Sequence, residues 1–422
     1  MEMIVTPSIL RGAISIPSSK SHTIRALMIA TLADGVSHIN DPLISADTLS
    51  CRDCCTDFGT IIVDNGYYWE VEGRNNQPRL PGDIVNVGNS GTTMNFLIGI
   101  ASLIEGYTIL TGDHQIHRRP VQPLLDALQQ LGARAASAPQ TGCPPVVVRG
   151  RIKGGSAEVR AKISQFTSSL LLCCPLAPTD TEIHAIDMGE KPYVQMTLHW
   201  LDQQQIVYQQ RNLEYFWIKG NQRYKSFNTR IPADFSSATF FMCVAAIPGC
   251  DIVLKGLDFN DTQGDKAVVD LLRAMGADIQ NTDEGLHIRG RELEGAELDL
   301  EDMPDALPAM AVVGCLSRGV TRIRNVAHAR SKETDRIAIM CRELRSMGAT
   351  ASELPDGLIV NESRLVGATV NSHGDHRIAM ALAIAGLAAR GVTHIYNADA
   401  VNMTFPQFPD LLRQLGATPQ VV

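Results

Sequence analysis

The chain has 422 residues, 45% of them hydrophobic and 19% charged, with a formal net charge of −8. That length exceeds one ordinary core and points to about two domains, and the acidic balance lacks the basic footprint of a nucleic-acid binder. The N-terminal residues lack the basic-then-apolar pattern of a signal peptide, and no apolar run reaches the ~18 residues of a membrane span, so a cytoplasmic protein without membrane or nucleic-acid partners is expected.

Taken in chain order, the sequence repeats itself. An apolar helix that stops at glycine is expected in ALMIATLADG (ending at Gly35), FLIGIASLIEG (Gly106), FFMCVAAIPG (Gly249), AMAVVGCLSRG (Gly319) and MALAIAGLAARG (Gly391). LLLCCPLAPTD, ending at Asp180, is the one copy without the glycine. The spacing is about 70 residues. A second, amphipathic helix keeps phase with the first: CRDCCTDFG, LLDALQQLGA, VVDLLRAMGA, CRELRSMGA and LLRQLGA, with a weaker LHWLDQQ that has Asp202 where glycine is expected. Between them lie VSHIN, YTILTG, TEIHAI, CDIVLKG, VTRIRNV and VTHIYN, which alternate as half-buried strands do. Six such α/β units suit two domains of three units each. The expected division is 1–15 plus 229–422 for one domain and 16–228 for the other, with YKSFNTRIPADFSS (224–237) as the crossing. The ten cysteines include CRDCC (51–55) and the pair Cys173 and Cys174. No second cluster has zinc spacing, so they read as buried reduced thiols.

Polar residues gather where each apolar helix begins: SSKSHTIR (18–25), GNSGTT (88–93), KISQFT (162–167), ADFSSAT (233–239), MPDA (303–306) and SHGDHR (372–377). Serine, threonine, asparagine and aspartate there are ordinary caps. Lys20, Arg25 and Arg377 are not, because a cation opposes the positive end of the helix dipole. They point to an anionic ligand, which helix N-termini also favour. HRRP (117–120) and RSKETDR (330–336) add charge at two further helix starts. In the latter, Lys332, Glu333 and Arg336 fall within about one turn, which also suits a surface salt-bridge ladder.

SKSHTIRAL, GNSGTTM, RPVQPLLDAL, SQF, KPY, DFSSATFF, MPDA, SKETDR, GDHRIAMA and TFPQF occur in that order along the whole chain. As a set they resemble the EPSP synthases of the enolpyruvyl transferase family. The resemblance implies a two-domain α/β fold of six βαβαββ units, three per domain, with the active site in the cleft between domains. It implies transfer of the enolpyruvyl group of phosphoenolpyruvate to a hydroxyl of a cyclic acceptor, shikimate-3-phosphate, by addition and elimination of phosphate. No metal and no other cofactor is implied. Lys20, Arg119, Lys332, Arg336 and Arg377 match the cationic clamp on phosphoenolpyruvate, and Asn89 and Gly91 match its close-approach loop. Gln165 matches contacts to both substrates. Glu333 matches the acid that protonates the methylene carbon, and Asp305 the carboxylate beside the acceptor hydroxyl. His376 is placed by the departing phosphate and, with Lys20, among the catalytic groups. Ser21, Arg25, Ser164 and Tyr193 match acceptor contacts, shared with Asp305 and Lys332. A monomer is expected.

Several positions depart from the family pattern. Ile163 replaces a serine that helps hold the acceptor's phosphate, and Glu190 replaces the serine of SKPY. A carboxylate facing a dianion opposes binding, although Lys162 and Lys191 stand next to these two positions. His328, Asn95 and Met403 are further departures. They leave open a second acceptor class, an unphosphorylated cyclic alcohol. The sister enzyme acting on UDP-N-acetylglucosamine is disfavoured, since GDHQIHRRP (112–120) lacks its cysteine. RNA 3′-phosphate cyclases are disfavoured by the acidic charge, and a catalytically dead binder by the presence of Lys20, Asp305 and Glu333 together. His114, His117 and His373 lack a third ligand at metal spacing and read as hydrogen-bonded histidines.

Overall fold

A computed structural model describes all residues, 1–422. Helices form wherever the apolar and amphipathic repeats stand. They are α1 Lys20–Leu32, α2 Ala46–Asp57, α3 Gly91–Ala101, α4 Gln122–Gln130, α5 Ser164–Cys173 and α6 Lys191–Gln203 in the first half of the chain. The second half holds α7 Phe235–Ala245, α8 Val268–Ala274, α9 Leu307–Leu316, α10 Arg336–Ser346, α11 His376–Ala388 and α12 Phe408–Gln414. The odd-numbered helices are apolar all round and are buried accordingly; α7 is buried along its whole length. Four of these six carry their own side-chain cap: Ser19, Ser90, Asp234 and Asp375 each accept from a backbone N–H one or two residues into the helix. The even-numbered helices bury one face, as in α4, where Leu124, Leu125, Ala127 and Leu128 turn inward.

The odd-numbered helices end three to five residues before the expected glycines, at caps such as Ala33, Ser102 and Ala389, because the chain turns extended or stays right-handed there before the glycine is reached; the even-numbered ones, with one exception, stop at glycine. Gly59, Gly132, Gly276, Gly348 and Gly416 close five of the even-numbered helices with φ between 85° and 104°. In the weak copy the left-handed residue is Gln205, at φ 57°, three positions beyond the Asp202 where the sequence placed it.

Each helix pair feeds one four-stranded sheet, and there are six. Around α5 and α6, Gly155–Arg160 pairs in parallel with Thr181–Ile186, which pairs antiparallel with Tyr215–Ile218, which pairs antiparallel with Tyr208–Arg211. The register sets Ala157 beside Ile183, and alternate residues turn to the core. The other sheets repeat this order, but two exchange their first strands. Arg11–Ser15 precedes α1 yet pairs with Asp251–Lys255, the strand after α7. Asn228–Arg230 precedes α7 yet pairs with Val36–Asn40, the strand after α1. The last sheet is completed by the N-terminal strand Glu2–Val5, antiparallel to Thr393–Tyr396.

Two compact units result: a discontinuous one of residues 1–17 and 232–422, and a continuous one of residues 18–231. The changes of unit fall two to three residues later than the expected 15/16 and 228/229. Each unit has its own hydrophobic core. Nine of the ten cysteines are buried and none is in a disulfide. No helix is long and apolar enough to cross a membrane.

Candidate active site

In the continuous unit, the starts of α1, α3 and α5 lie side by side. The Arg25 guanidinium of α1 sits 5.2 Å from the Phe96 ring of α3. Asn95 of α3 donates to Gln165 Oε1 of α5 at 2.8 Å, and Gln165 Nε2 donates back to Thr92 Oγ1 at 3.0 Å. Lys20, the first residue of α1, donates to Asp47 Oδ2 at 3.0 Å. Asp47 is buried in the first turn of α2 and was not singled out from sequence; an acid facing inward on an amphipathic helix is the signal that marks it.

Asn89 is a bracket. Its amide nitrogen donates to Asp113 Oδ2 and Gln115 Oε1, each at 2.6 Å, and its oxygen accepts from Arg119 Nη2 at 3.3 Å. Gly91 packs against the same guanidinium: a Cβ there would lie 2.4 Å from Arg119 Nη1. A side chain at this helix start would therefore displace the Arg119 guanidinium from its present place.

Arg25 lies deeper than its place among acceptor contacts implies. It is buried in α1 and donates to Thr197 Oγ1 at 2.9 Å, to the Ser21 carbonyl at 3.1 Å and to the Tyr193 carbonyl at 2.9 Å. Burial lowers its pKa to about 10, which leaves it charged at neutral pH. It ties α1 to α6, while the Ser21 and Tyr193 side chains stay half-buried. Ser164, the first residue of α5, gives both its N–H and its hydroxyl to Glu190 Oε2, at 3.1 and 2.7 Å. Lys162 and Lys191 are both exposed.

In the discontinuous unit, RSKETDR is not a surface ladder. Helix α10 begins only at Arg336, so Lys332 and Glu333 lie on the loop before it, and Arg336 is 1% exposed. Its guanidinium donates to three carboxylates: Asp305 Oδ1 at 2.6 Å, Glu333 Oε2 at 2.6 Å and Asp375 Oδ2 at 2.9 Å. Arg377 reaches Asp305 Oδ2 at 3.1 Å and the Ser236 carbonyl at 3.1 Å, which brings the starts of α7 and α11 together. Asp305 is thus shared by two arginines. Burial opposes its charge, but Arg377, Arg336 and Lys332 outweigh burial and hold the carboxyl far below the usual carboxylate range. Burial likewise opposes the charge on Arg336, and Asp375, Glu333 and Asp305 outweigh it, raising its pKa. Asp375 also accepts from Thr334 Oγ1 at 3.0 Å and from the Arg377 N–H at 2.9 Å. It stands in the quoted GDHR loop, yet its role as anchor of Arg336 was not read from sequence. His376, buried at the first turn of α11, has Nδ1 4.0 Å from Asp375 Oδ1.

Of the departures, Asn95 and Glu190 are built into these networks, and His328 is half-buried in a short 3-10 turn, Ala327–Ser331. No group of three or more His, Cys, Asp or Glu is placed to hold a metal ion.

Both halves combine cations fixed by buried partners with helix N-termini, an arrangement suited to a small polyanion. Comparison with known proteins agrees. The family model for EPSP synthase (3-phosphoshikimate 1-carboxyvinyltransferase) matches residues 4–412. The chain is 50% identical over 417 residues to a 3-phosphoshikimate 1-carboxyvinyltransferase of Acetivibrio thermocellus, covering 99% of each chain. It is 46% identical over 422 residues to one of Ruminiclostridium cellulolyticum, covering 100% of each. Among solved structures, an EPSP synthase from Acinetobacter baumannii matches with a TM-score of 0.84 at 27% identity, over 100% of this chain and 99% of that one. On its sequence, its six-unit fold and these likenesses, the chain belongs to the EPSP synthase family.

Proposed function

We propose that the protein transfers the enolpyruvyl group of phosphoenolpyruvate to a hydroxyl of shikimate-3-phosphate and releases phosphate. The observation that carries this is the Arg336–Asp305–Arg377 cluster, in which two arginines and a strongly acidic carboxylate share one buried site. In this reading Lys20, Arg119, Lys332, Arg336 and Arg377 bind the phosphate and carboxylate of phosphoenolpyruvate, with Asn89 and Gly91 holding Arg119 in place. Gln165 contacts both substrates, and Ser21, Arg25, Ser164 and Tyr193 line the acceptor.

The acceptor oxygen bonds to C2 of phosphoenolpyruvate while a proton is delivered to the C3 methylene. Phosphate then leaves C2 as a proton is lost from C3, restoring the double bond. Glu333 is the acid for C3, and Asp305 is the base that receives the hydroxyl proton. Asp305 is ionised at neutral pH, as a base must be. Its arginine partners are the groups that an arriving anion draws on, so substrate binding raises its basicity. His376 and Lys20 face the leaving phosphate. A cytoplasmic monomer fits the reading, with ten cysteines free of disulfides.

A second reading, an unphosphorylated cyclic acceptor, is favoured by one observation, the Glu190–Ser164 contact. Phosphate release from phosphoenolpyruvate, measured with shikimate-3-phosphate, with shikimate and without acceptor, separates the two. Turnover in the ordinary enzyme range of ~1–1000 per second with shikimate-3-phosphate alone supports the first. Turnover only with shikimate supports the second. Binding of phosphoenolpyruvate without turnover on either defeats both.

A further inference from the structure

The segment that leads into α11 makes an unusual turn. The strand Thr369–Asn371 ends, and two left-handed residues follow shortly, His373 at φ 56° and Gly374 at φ 75°. Glycine adopts that conformation freely, but histidine does so at a cost. Such a conformation persists only where its surroundings over-determine it. Directly after the turn come Asp375, which anchors Arg336, and then His376 and Arg377 of the candidate site.

What holds the turn is Glu343, about two helical turns along α10 from Arg336. It is 6% exposed, and a carboxylate so buried is costly unless its oxygens are bonded. Both are. Oε2 accepts the Asn371 N–H at 3.1 Å, and Oε1 lies 3.0 Å from His373 Nε2. Arg342 Nε donates to Oε1 at 2.9 Å, and the same guanidinium reaches His373 Nε2. Within the turn, Asn371 Oδ1 accepts the His373 N–H at 2.7 Å, and Ser372 Oγ accepts the Gly374 N–H at 3.1 Å. Helix α10 therefore grips the segment twice. Its first residue, Arg336, holds Asp375, and Glu343 holds the turn just before it. Two grips fix the direction of the segment as well as its place, and Arg377 is thereby aimed at Asp305, 3.1 Å away.

We propose that Glu343 is a positioning residue for the reaction: it holds the strained His373–Gly374 turn so that His376 and Arg377 meet phosphoenolpyruvate in a fixed geometry. It acts through that turn, not on the substrate. The inference rests on the reading that His376 and Arg377 face phosphoenolpyruvate. A buried acid that serves stability alone is the rival explanation. The two differ in kinetics. A smaller folded fraction lowers the apparent kcat and leaves KM where it was, whereas a misdirected Arg377 raises KM.

The test is steady-state phosphate release from phosphoenolpyruvate by the full-length protein and its E343D, E343A and E343Q variants, with the acceptor on which the parent turns over held at saturation. Aspartate keeps the charge but falls one methylene short of the turn. Glutamine keeps the length and an oxygen for the Asn371 N–H. The expected result is a KM for phosphoenolpyruvate raised at least threefold in E343D and E343A, with a smaller rise in E343Q. A rise below threefold in E343D overturns the proposal, and so does a rise in E343Q as large as that in E343D. If E343A fails to fold, E343D decides, since it preserves the buried charge. Failure of the functional reading is seen separately, as no phosphate release by the parent with any acceptor. Calorimetric affinity for phosphoenolpyruvate, expected to weaken at least threefold from the parent to E343D, then decides in place of KM, and a parent that does not bind phosphoenolpyruvate defeats both.

Discussion

Replacing Asp375 tests whether the three-carboxylate cage around Arg336 holds the discontinuous unit together. Asp375 is 0% exposed and accepts from Arg336 Nε at 2.9 Å, Thr334 Oγ1 at 3.0 Å and the Arg377 N–H at 2.9 Å. Asp305, Glu333 and Asp375 together balance Lys332, Arg336 and Arg377 in charge. Asp375→Ala leaves one buried positive charge in excess. Breaking a buried ion pair by removing one partner costs about 3–5 kcal/mol, and loss of a helix cap about 1 kcal/mol. Two carboxylates stay on Arg336, so the expected destabilisation lies at the lower end, about 3 kcal/mol. Asp375→Asn keeps the cap and one acceptor, and about 1–2 kcal/mol is expected. Urea unfolding measures this, and the sequence supplies an internal control. The three tryptophans, Trp69, Trp200 and Trp217, all lie in the continuous unit. Far-UV circular dichroism should therefore show a component moved to lower urea while the tryptophan fluorescence transition stays in place. A dichroism shift of less than about 1 kcal/mol would refute the reasoning. So would an equal shift in both signals, since it would deny that the effect is local to the cage.

Three further outcomes are expected. Asp305 has a folded pKa below its unfolded value, so its stabilisation is full above about pH 4 and fades as pH falls toward the folded value; Asp305→Asn should flatten the acid limb of an unfolding-versus-pH series, and an unchanged limb would count against the shared-arginine account. Gly91→Ala should push the Arg119 guanidinium aside and raise the KM for phosphoenolpyruvate about tenfold, the equivalent of one charged hydrogen bond of about 1.5 kcal/mol; steady-state kinetics check this, and an unchanged KM would show that Arg119 does not bind that substrate. Thr197→Val leaves buried Arg25 Nε without its acceptor at 2.9 Å and should cost about 1–3 kcal/mol, read as an earlier tryptophan transition in urea.

Much of this was legible in the sequence because the repeat is written in local terms. Strand alternation and glycine stops depend on neighbours a few residues away, and they placed Val36–Asn40 and Thr393–Tyr396 as readily as α1 and α11. What stayed hidden depends on distant partners. RSKETDR has the spacing of a solvated ladder, and only tertiary packing buries Arg336. Asp47 and Asp375 look like ordinary helix-start acids until Lys20 and Arg336 are seen bound to them. Glu190 is visible as an oddity beside KPY, but its grip on Ser164 requires a left-handed turn that nothing in the local text announces. Gln205 makes the same point from the other side, since a left-handed stop without glycine leaves no composition signal.

The exchanged strands also set an order of assembly during synthesis. The continuous unit has all its strands once residue 231 has left the ribosome, because Asn228–Arg230 is the last strand it needs. The strands Glu2–Val5 and Arg11–Ser15 precede their partners by the longest stretches of chain. Arg11–Ser15 finds its neighbour only when Asp251–Lys255 appears, and Glu2–Val5 only at Thr393–Tyr396. Until those partners are made, both strands are unpaired, the state in which edge strands are open to wrong partners.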